Sequence, residues 1–381
     1  MKKKQKIGLI TIYHVPNYGS VLQALATQFL LEKKGFECSI INYKYPNEWH
    51  QKQRIIVKRT LLYKLIHEIA YILGLTPYLR KNKYLPKFRA KYFNYSKPYD
   101  NLDSLKEEKW DEYSAFAVGS DQVWNPQYTF GDSVFLLSFI PDNKFRFSLA
   151  SSFAVKEIPE KYKDKYRKYL EKFTHISIRE QNGINVLKSL GIKNNAKIIL
   201  DPTLLLTKED WLQLFPSSKR TFKRKYILLY LLTYAFEPRP YVFHLLKYYK
   251  EKLNCDIIAL EGYATKKDAL GVHMKDYTAA TIPQFINLFS NAELVITTSF
   301  HGTAFALNYE RPLISIIPNN NADDRQYSLL KKLELEQCIV PLNTPFEKIN
   351  PYYEKISLKT KLNILRNDSI NWIDSVLKEI N

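Results

Sequence analysis

The sequence predicts an α/β protein of two Rossmann-like halves with a closing C-terminal helix. Three observations lead there. The chain has 381 residues, more than a single hydrophobic core ordinarily organises. Apolar runs of strand length alternate with stretches of helical periodicity, the pattern of parallel sheets flanked by helices. After the polar, basic stretch 216–224 that alternation starts afresh, which places one half at 1–205 and the other at 206–381.

The first half opens with an apolar strand at 6–12, a helix at 21–31 and a strand at 38–43. Gly35 closes the helix, because a residue that takes positive φ freely lets the chain turn out of the last turn. Strands are expected at 114–118, 145–150, 175–178 and 197–200, with helices at 160–173 and 181–190. Connections of this kind build a mostly parallel sheet of about five or six strands. In the second half the strands fall at 226–232, 255–260, 294–297, 313–317 and 338–341. Helices are expected at 241–253, 282–289 and 326–335, a short one opens near His301, and a long amphipathic helix covers 358–380. Two such halves with a closing helix correspond to the glycosyltransferase-B architecture.

Composition narrows the function classes. An apolar content of 45% is globular and excludes a disordered or fibrous chain. No run of about 18 apolar residues occurs, so no transmembrane helix is expected. Lys2, Lys3 and Lys4 before an apolar run imitate a secretory signal, but that run is short and His14, Pro16 and Asn17 interrupt it. Cys38, Cys255 and Cys338 are widely spaced and sit in or beside strand-like runs, which predicts reduced core thiols in a cytoplasmic protein. No Cys and His spacing suggests a metal, and neither a metal nor a cofactor is expected.

The formal charge is +19, much of it shared with a general abundance of Lys, Ile, Asn and Tyr. Its local concentration is more informative. An insert at 51–92 carries Arg54, Lys58, Lys81, Arg89 and seven further basic residues against the single acid Glu68, with apolar residues at roughly helical spacing. Two readings follow: a helix that covers its own core and solvates its basic face, or a surface for an anionic membrane or a lipid-linked phosphate at the inner membrane face. Nucleic acid is not expected as a partner, since no helix-turn-helix, zinc or RNP signature accompanies the charge.

Ligands of open α/β sheets bind where strands end and helices begin. Four such loops carry chemistry. In the first, Asn17 and Ser20 offer hydrogen bonds and Gly19 permits close backbone approach, although the same residues also make an ordinary capped turn. The second, Gly119-Ser120-Asp121-Gln122-Val123-Trp124-Asn125, combines carboxylate, amide and indole groups as a sugar site requires. There Asp121 can act as general base on a hydroxyl, and the competing reading is a helix cap with Trp124 packed as core. In the third, Ser177-Ile178-Arg179-Glu180, Arg179 stands at a strand end, able to clamp a phosphate or carboxylate or to pair with a neighbouring acid.

The fourth loop is the most telling. Thr297-Thr298-Ser299-Phe300-His301-Gly302-Thr303 follows an apolar strand where a helix starts, and helix N-termini favour anions. Here His301 can donate to an anionic substrate or exchange a proton near neutral pH. Downstream, Arg325 opens another helix and can reach the same cleft.

Several segments in order extend this set: Asn17-Tyr18-Gly19-Ser20 with Gln23, Gly119 to Asn125, Ser148-Leu149-Ala150-Ser151-Ser152-Phe153, Ser177 to Glu180, Asp201-Pro202-Thr203, Ser299 to Gly302, and Arg325-Gln326-Tyr327-Ser328-Leu329-Leu330. Together they resemble the polysaccharide pyruvyl transferase family. The resemblance implies transfer of pyruvate from phosphoenolpyruvate to two hydroxyls of one sugar, free or lipid-linked, giving a cyclic ketal and phosphate in surface-glycan assembly. It makes His301 the essential residue. The donor is expected against Ser299, Gly302, Thr303 and Arg325, and the acceptor against Asn17, Gly19, Ser20, Gln23, Ser120, Trp124 and Asn125. Many members carry arginine where this chain has Ser299, so the donor's charge must fall to Arg179, Arg325 or a lysine. Phosphoenolpyruvate is the donor substrate and no cofactor is implied. Two other functions compete: a nucleotide-sugar glycosyltransferase of the same architecture, and a non-catalytic protein binding a glycan or lipid phosphate through the basic insert.

Overall fold

The computed structural model describes residues 4–45, 69, 73–193, 196–216, 222, 224–233, 235–261, 271–320 and 323–380. Two parallel sheets organise them. The first contains β1 Lys6–Ile10, β2 Glu37–Tyr43, β3 Tyr95–Tyr99, β4 Tyr113–Val118 and β5 Phe145–Ser148, in the order β3-β2-β1-β4-β5. A shorter pair, β6 Ser177–Ile178 and β7 Lys197–Ile198, extends this sheet through bridges from Phe147 to His175 and from Ser151 to Ile178.

The second sheet holds β8 Tyr226–Tyr230, β9 Asp256–Ala259, β10 Lys275–Asp276, β11 Leu294–Thr297, β12 Leu313–Ile317 and β13 Ile339–Pro341, in the order β10-β9-β8-β11-β12-β13. Strand order therefore reverses between β1 and β4 in one sheet and between β8 and β11 in the other. Those switch points are where the loops after β1, β4 and β11 emerge, and crevices form there. This is the glycosyltransferase-B architecture anticipated from the sequence. Two edge strands were not anticipated. β3 contains Lys97 and Pro98, which an edge tolerates because its outer amides need no partner, and β10 is only two residues long.

The halves share one core. Val21, Leu22 and Leu25 of the helix Tyr18–Lys33 belong to the same buried apolar cluster as Phe285, Phe289 and Phe305 of the second half. Between them lies the short helix Pro202–Leu205, pinned from three sides. Asn308 donates to the carbonyls of Thr203 (3.0 Å) and Leu206 (2.9 Å), Trp211 donates to Thr203 O (3.1 Å), and Arg366 Nε donates to Leu204 O (2.7 Å).

Arg366 belongs to the long helix Lys355–Lys378, which follows the second half in sequence but lies on the first. Its Ser369 Oγ accepts from the Leu200 amide at 3.0 Å, and Asp374 pairs with Lys34 at 2.6 Å.

Of the basic insert, residues 51–68 and 70–72 lie outside the described residues. Its later part forms the helix Pro77–Tyr92, capped by Thr76. Two of its charges turn inward instead of toward solvent. Lys81, 1% exposed, pairs with Glu261 of the second half at 2.5 Å and lies 4.4 Å from the centre of the Tyr18 ring. Arg89 donates to the carbonyls of Tyr13 (3.0 Å) and His14 (3.3 Å). Tyr18 crosses the same boundary, its hydroxyl meeting the carbonyls of Thr278 (2.9 Å) and Ala280 (2.7 Å). Among the described residues no helix is long and apolar enough to cross a membrane.

Candidate active site between the halves

The loop after β1 is shaped by Asn17, whose extended backbone and side chain cap the helix Tyr18–Lys33 by accepting from the amides of Gly19 (2.8 Å) and Ser20 (3.3 Å). Gly19 is required for contact across the cleft: a Cβ there would sit 2.2 Å from His301 Nδ1. Ser20 Oγ donates to Asp121 Oδ2 at 2.6 Å. Gln23 is fully buried and donates to Thr11 Oγ1, Ile12 O and Ser20 O, so it braces the loop.

After β4, Ser120 donates to Asp201 Oδ2 at 2.6 Å. Asp121 takes φ 74°, a left-handed conformation that non-glycine residues adopt rarely and Asp more readily than most. Its backbone carbonyl accepts from Ser152 N–H, which holds the carboxylate toward Ser20 and Arg179.

Two residues of this loop correct the sugar-site expectation. Trp124 has no exposed surface, donates its indole N–H to Phe135 O at 2.8 Å, and packs against Phe153 and Phe173. Asn125, 1% exposed, caps the turn Pro126–Thr129 through the Gln127 amide and donates to Gln122. Neither can meet a sugar, because both are spent on folding the loop beneath the site.

Arg179 stands at the end of β6 as expected, with 5% of its surface exposed. Of the two readings left open for it, pairing with an acid is observed. The partner is Asp201, 2.8 Å from Nη1, with Asp121 3.5 Å from Nη2, while Glu180 lies at 3.9 Å. The guanidinium is stacked over Phe300 at 4.3 Å, and among the described residues its Nε and Nη2 have no hydrogen-bond partner. Two donors thus remain for a ligand.

The second half supplies the turn after β11. Ser299 caps the helix Phe300–Asn308 by accepting from Gly302 N–H at 3.3 Å. His301 is 6% exposed; its Nε2 lies 3.6 Å from Asp201 Oδ2, beyond hydrogen-bond length. Gly302 and Thr303 are corrected as donor-side groups. A Cβ on Gly302 would meet Thr297 Oγ1 at 2.2 Å, and Thr303 Oγ1 is 2.8 Å from Ser315 Oγ, so both pack into their own half. Arg325 is buried and grips Asp323 with Nε (2.7 Å) and Nη2.

Asp201 is the residue that sequence reasoning left without a role. It receives Ser120, Arg179 and Thr203 and faces His301. Its Asp-Pro step after an apolar strand signals a helix cap, and the cap is there, but nothing local points to its partners across the cleft. Burial opposes ionisation of Asp201, yet His301, Arg179 and Ser120 together hold the carboxyl well below the ordinary range. Asp121 is likewise lowered against its burial by His301, Arg179 and Ser20. Glu180 goes the other way: burial pushes it up to about 7, only partly offset by Arg179 and aggravated by Asp324.

The result is a closed cluster of two ionised carboxylates, an arginine and an imidazole, built from both halves. Such a cluster can shuttle protons with little water present and can exchange one of its internal carboxylate contacts for an anionic ligand.

A family model for polysaccharide pyruvyl transferase matches residues 17–320. A search of curated proteins finds no match. Among solved structures, a putative UDP-N-acetylglucosamine 2-epimerase from Listeria monocytogenes is similar over 99% of this chain and 98% of its own, at 12% identity and a TM-score of 0.53. The UDP-GlcNAc 2-epimerase from Neisseria meningitidis bound to UDP-GlcNAc shares 12% identity over 98% of this chain and 100% of its own, with a TM-score of 0.52. The corresponding enzyme of Methanocaldococcus jannaschii covers 95% of this chain and 99% of its own, at 14% identity and a TM-score of 0.51. At such identities the likeness is one of fold.

Proposed function

The chain belongs to the polysaccharide pyruvyl transferase family, and from that premise we propose that it moves pyruvate from phosphoenolpyruvate onto two hydroxyls of one sugar, forming a cyclic ketal and releasing phosphate. The observation that carries this reading is the seating of His301 between Gly19 and Asp201, with Arg179 on the same carboxylate.

The chemistry sets the demands. The enol carbon becomes electrophilic when the methylene is protonated, and an imidazolium beside an ionised carboxylate is a suitable acid. One sugar hydroxyl then attacks and loses its proton to a base, a role we assign to Asp121 because its carboxylate already accepts from the Ser20 hydroxyl. Phosphate departs, and a neighbouring hydroxyl closes the ketal. The donor brings a phosphate and a carboxylate, and the free Nε and Nη2 of Arg179 suit one of them. Since the arginine common in the family is Ser299 here, that role falls more heavily on Arg179 and Arg325.

The test is incubation with phosphoenolpyruvate and lipid-linked saccharides, followed by mass analysis for an added pyruvyl group. His301→Ala should abolish phosphoenolpyruvate-dependent phosphate release in a folded protein, and near-normal turnover refutes the assignment. One structure of similar fold, the Neisseria meningitidis epimerase, is bound to UDP-GlcNAc, which keeps a nucleotide-sugar transferase as the second reading. That reading requires a nucleoside diphosphate, and not phosphoenolpyruvate, to protect the protein against heat.

A further inference from the structure

Beside the closed cluster the two halves leave an open cavity of about 570 Å³. That size is typical of small-molecule sites, roughly 300–1,000 Å³. Lys156 and the start of the helix Gln181–Ser189 form one wall, and Tyr327, Lys331 and Lys332 of the helix Arg325–Lys332 form the other.

Its charge is uneven. Among the described residues no ion pair engages Lys156, Lys331 or Lys332. Of the acids of the cavity, Asp323 is held by Arg325, and Asp324 is held through Oδ2 by the Asn182 amide (3.1 Å) and Ser328 Oγ (2.8 Å), its Oδ1 having no partner among the described residues. Asp368, whose charge also reaches Lys332, is bridged to Lys197 at 2.9 Å.

The helix Gln181–Ser189 has no side-chain cap of its own, and its first amides meet the opposite wall, Gln181 N–H on Ser328 Oγ and Asn182 N–H on Asp324 Oδ2, each at 3.1 Å. The Asp324 carboxylate on the Asn182 amide demonstrates that this end accepts an oxyanion. Tyr327, 41% exposed, adds an aromatic face at the rim. Gln181 in the cavity is two residues along the chain from Arg179 in the cluster, so the two sites adjoin.

We propose that this cavity binds the phosphate or diphosphate ester of the acceptor saccharide, with the anionic group on Lys156, Lys331 and Lys332 and a sugar ring against Tyr327. The assignment rests on the pyruvyl-transfer reading for the identity of the acceptor, but not for the binding chemistry.

Calorimetry on the full chain with inorganic pyrophosphate, galactose 1-phosphate, galactose, UDP and phosphoenolpyruvate tests it. Galactose 1-phosphate and pyrophosphate should bind more tightly than galactose, and Lys331→Ala with Lys332→Ala should weaken both by about tenfold, equivalent to about 1.4 kcal/mol. Tyr327→Ala should weaken galactose 1-phosphate and spare pyrophosphate, with phosphoenolpyruvate affinity unchanged in every variant. Unaltered pyrophosphate binding in the lysine variant overturns the proposal. So does an equal loss of phosphoenolpyruvate binding, which would make this the donor's site, or a preference for UDP over galactose 1-phosphate, which would make it a nucleotide's. If lysine-dependent binding persists while phosphoenolpyruvate neither binds nor reacts, the cavity assignment stands and the pyruvyl-transfer reading fails.

Discussion

His301 and Asp201 come from different halves of the molecule and meet with 3.6 Å between Nε2 and Oδ2. Asp201→Asn keeps the Oδ1 contacts to Thr203 and removes the charge opposite the imidazole. Phosphoenolpyruvate-dependent phosphate release should fall by about 10²-fold, the lower end of what acid–base groups supply. The melting temperature should fall as well, because Arg179 loses its buried counter-charge. Full activity in this variant would leave Asp201 a purely structural cap.

Gly19→Ala is expected to act on the same imidazole from the opposite side. The new methyl would fall within 2.2 Å of Nδ1, so His301 must move. A displacement of about 1 Å costs on the order of 10²-fold in turnover. Steady-state kinetics should therefore show a lowered kcat, and an unchanged kcat would mean the ring's position is immaterial.

Lys81→Met leaves Glu261 without its cation at a nearly dry boundary. Loss of one partner of a buried pair costs about 3 kcal/mol. Burial already holds the Glu261 carboxyl above its usual range, and Lys81 opposes that rise. Adding Glu261→Gln should recover part of the loss in chemical denaturation. Two single variants whose effects simply add would show that the pair is uncoupled.

Glu180 supplies a pH dependence with a definite sign. An unfolded glutamate releases its proton near 4.5, whereas the folded one holds it to about 7. Between those values the folded state binds more protons, so stability falls as pH rises through the window and levels off above it. Glu180→Gln should remove that part of the slope in urea midpoints measured from acid to neutral pH. Identical slopes in the two proteins would contradict the shift.

Trp124→Phe separates core from site. It removes the indole donor to Phe135 O and should cost about 1 kcal/mol of stability. Acceptor KM should not change; a large rise in KM would reinstate the ring as a sugar platform.

Much of this was legible in the sequence because strand ends are local signals. The run into Ser299 and His301 and the run into Ser120 and Asp121 both mark where an apolar strand gives way to polar groups, and the structure brings them to one cleft. Partner identity was not legible. Asp201 joins Arg179 and His301 only once two sheets pack together. Trp124 carried no sign of its direction, which Phe135, Phe153 and Phe173 decide. Lys81 and Arg89 did leave a trace: with Leu85 and Phe88 they fall on one stripe of the helix Pro77–Tyr92, and charges on an apolar stripe point inward.

The continuous apolar cluster running from Leu22 to Phe305 has a practical consequence for taking the molecule apart. Severing the chain near residue 220 would strip each fragment of a greasy flank that the other now covers, and would leave the first without the helix Lys355–Lys378 that roofs it. Neither piece alone should stay in solution, whereas the two produced together should reassemble, much as a split reporter does.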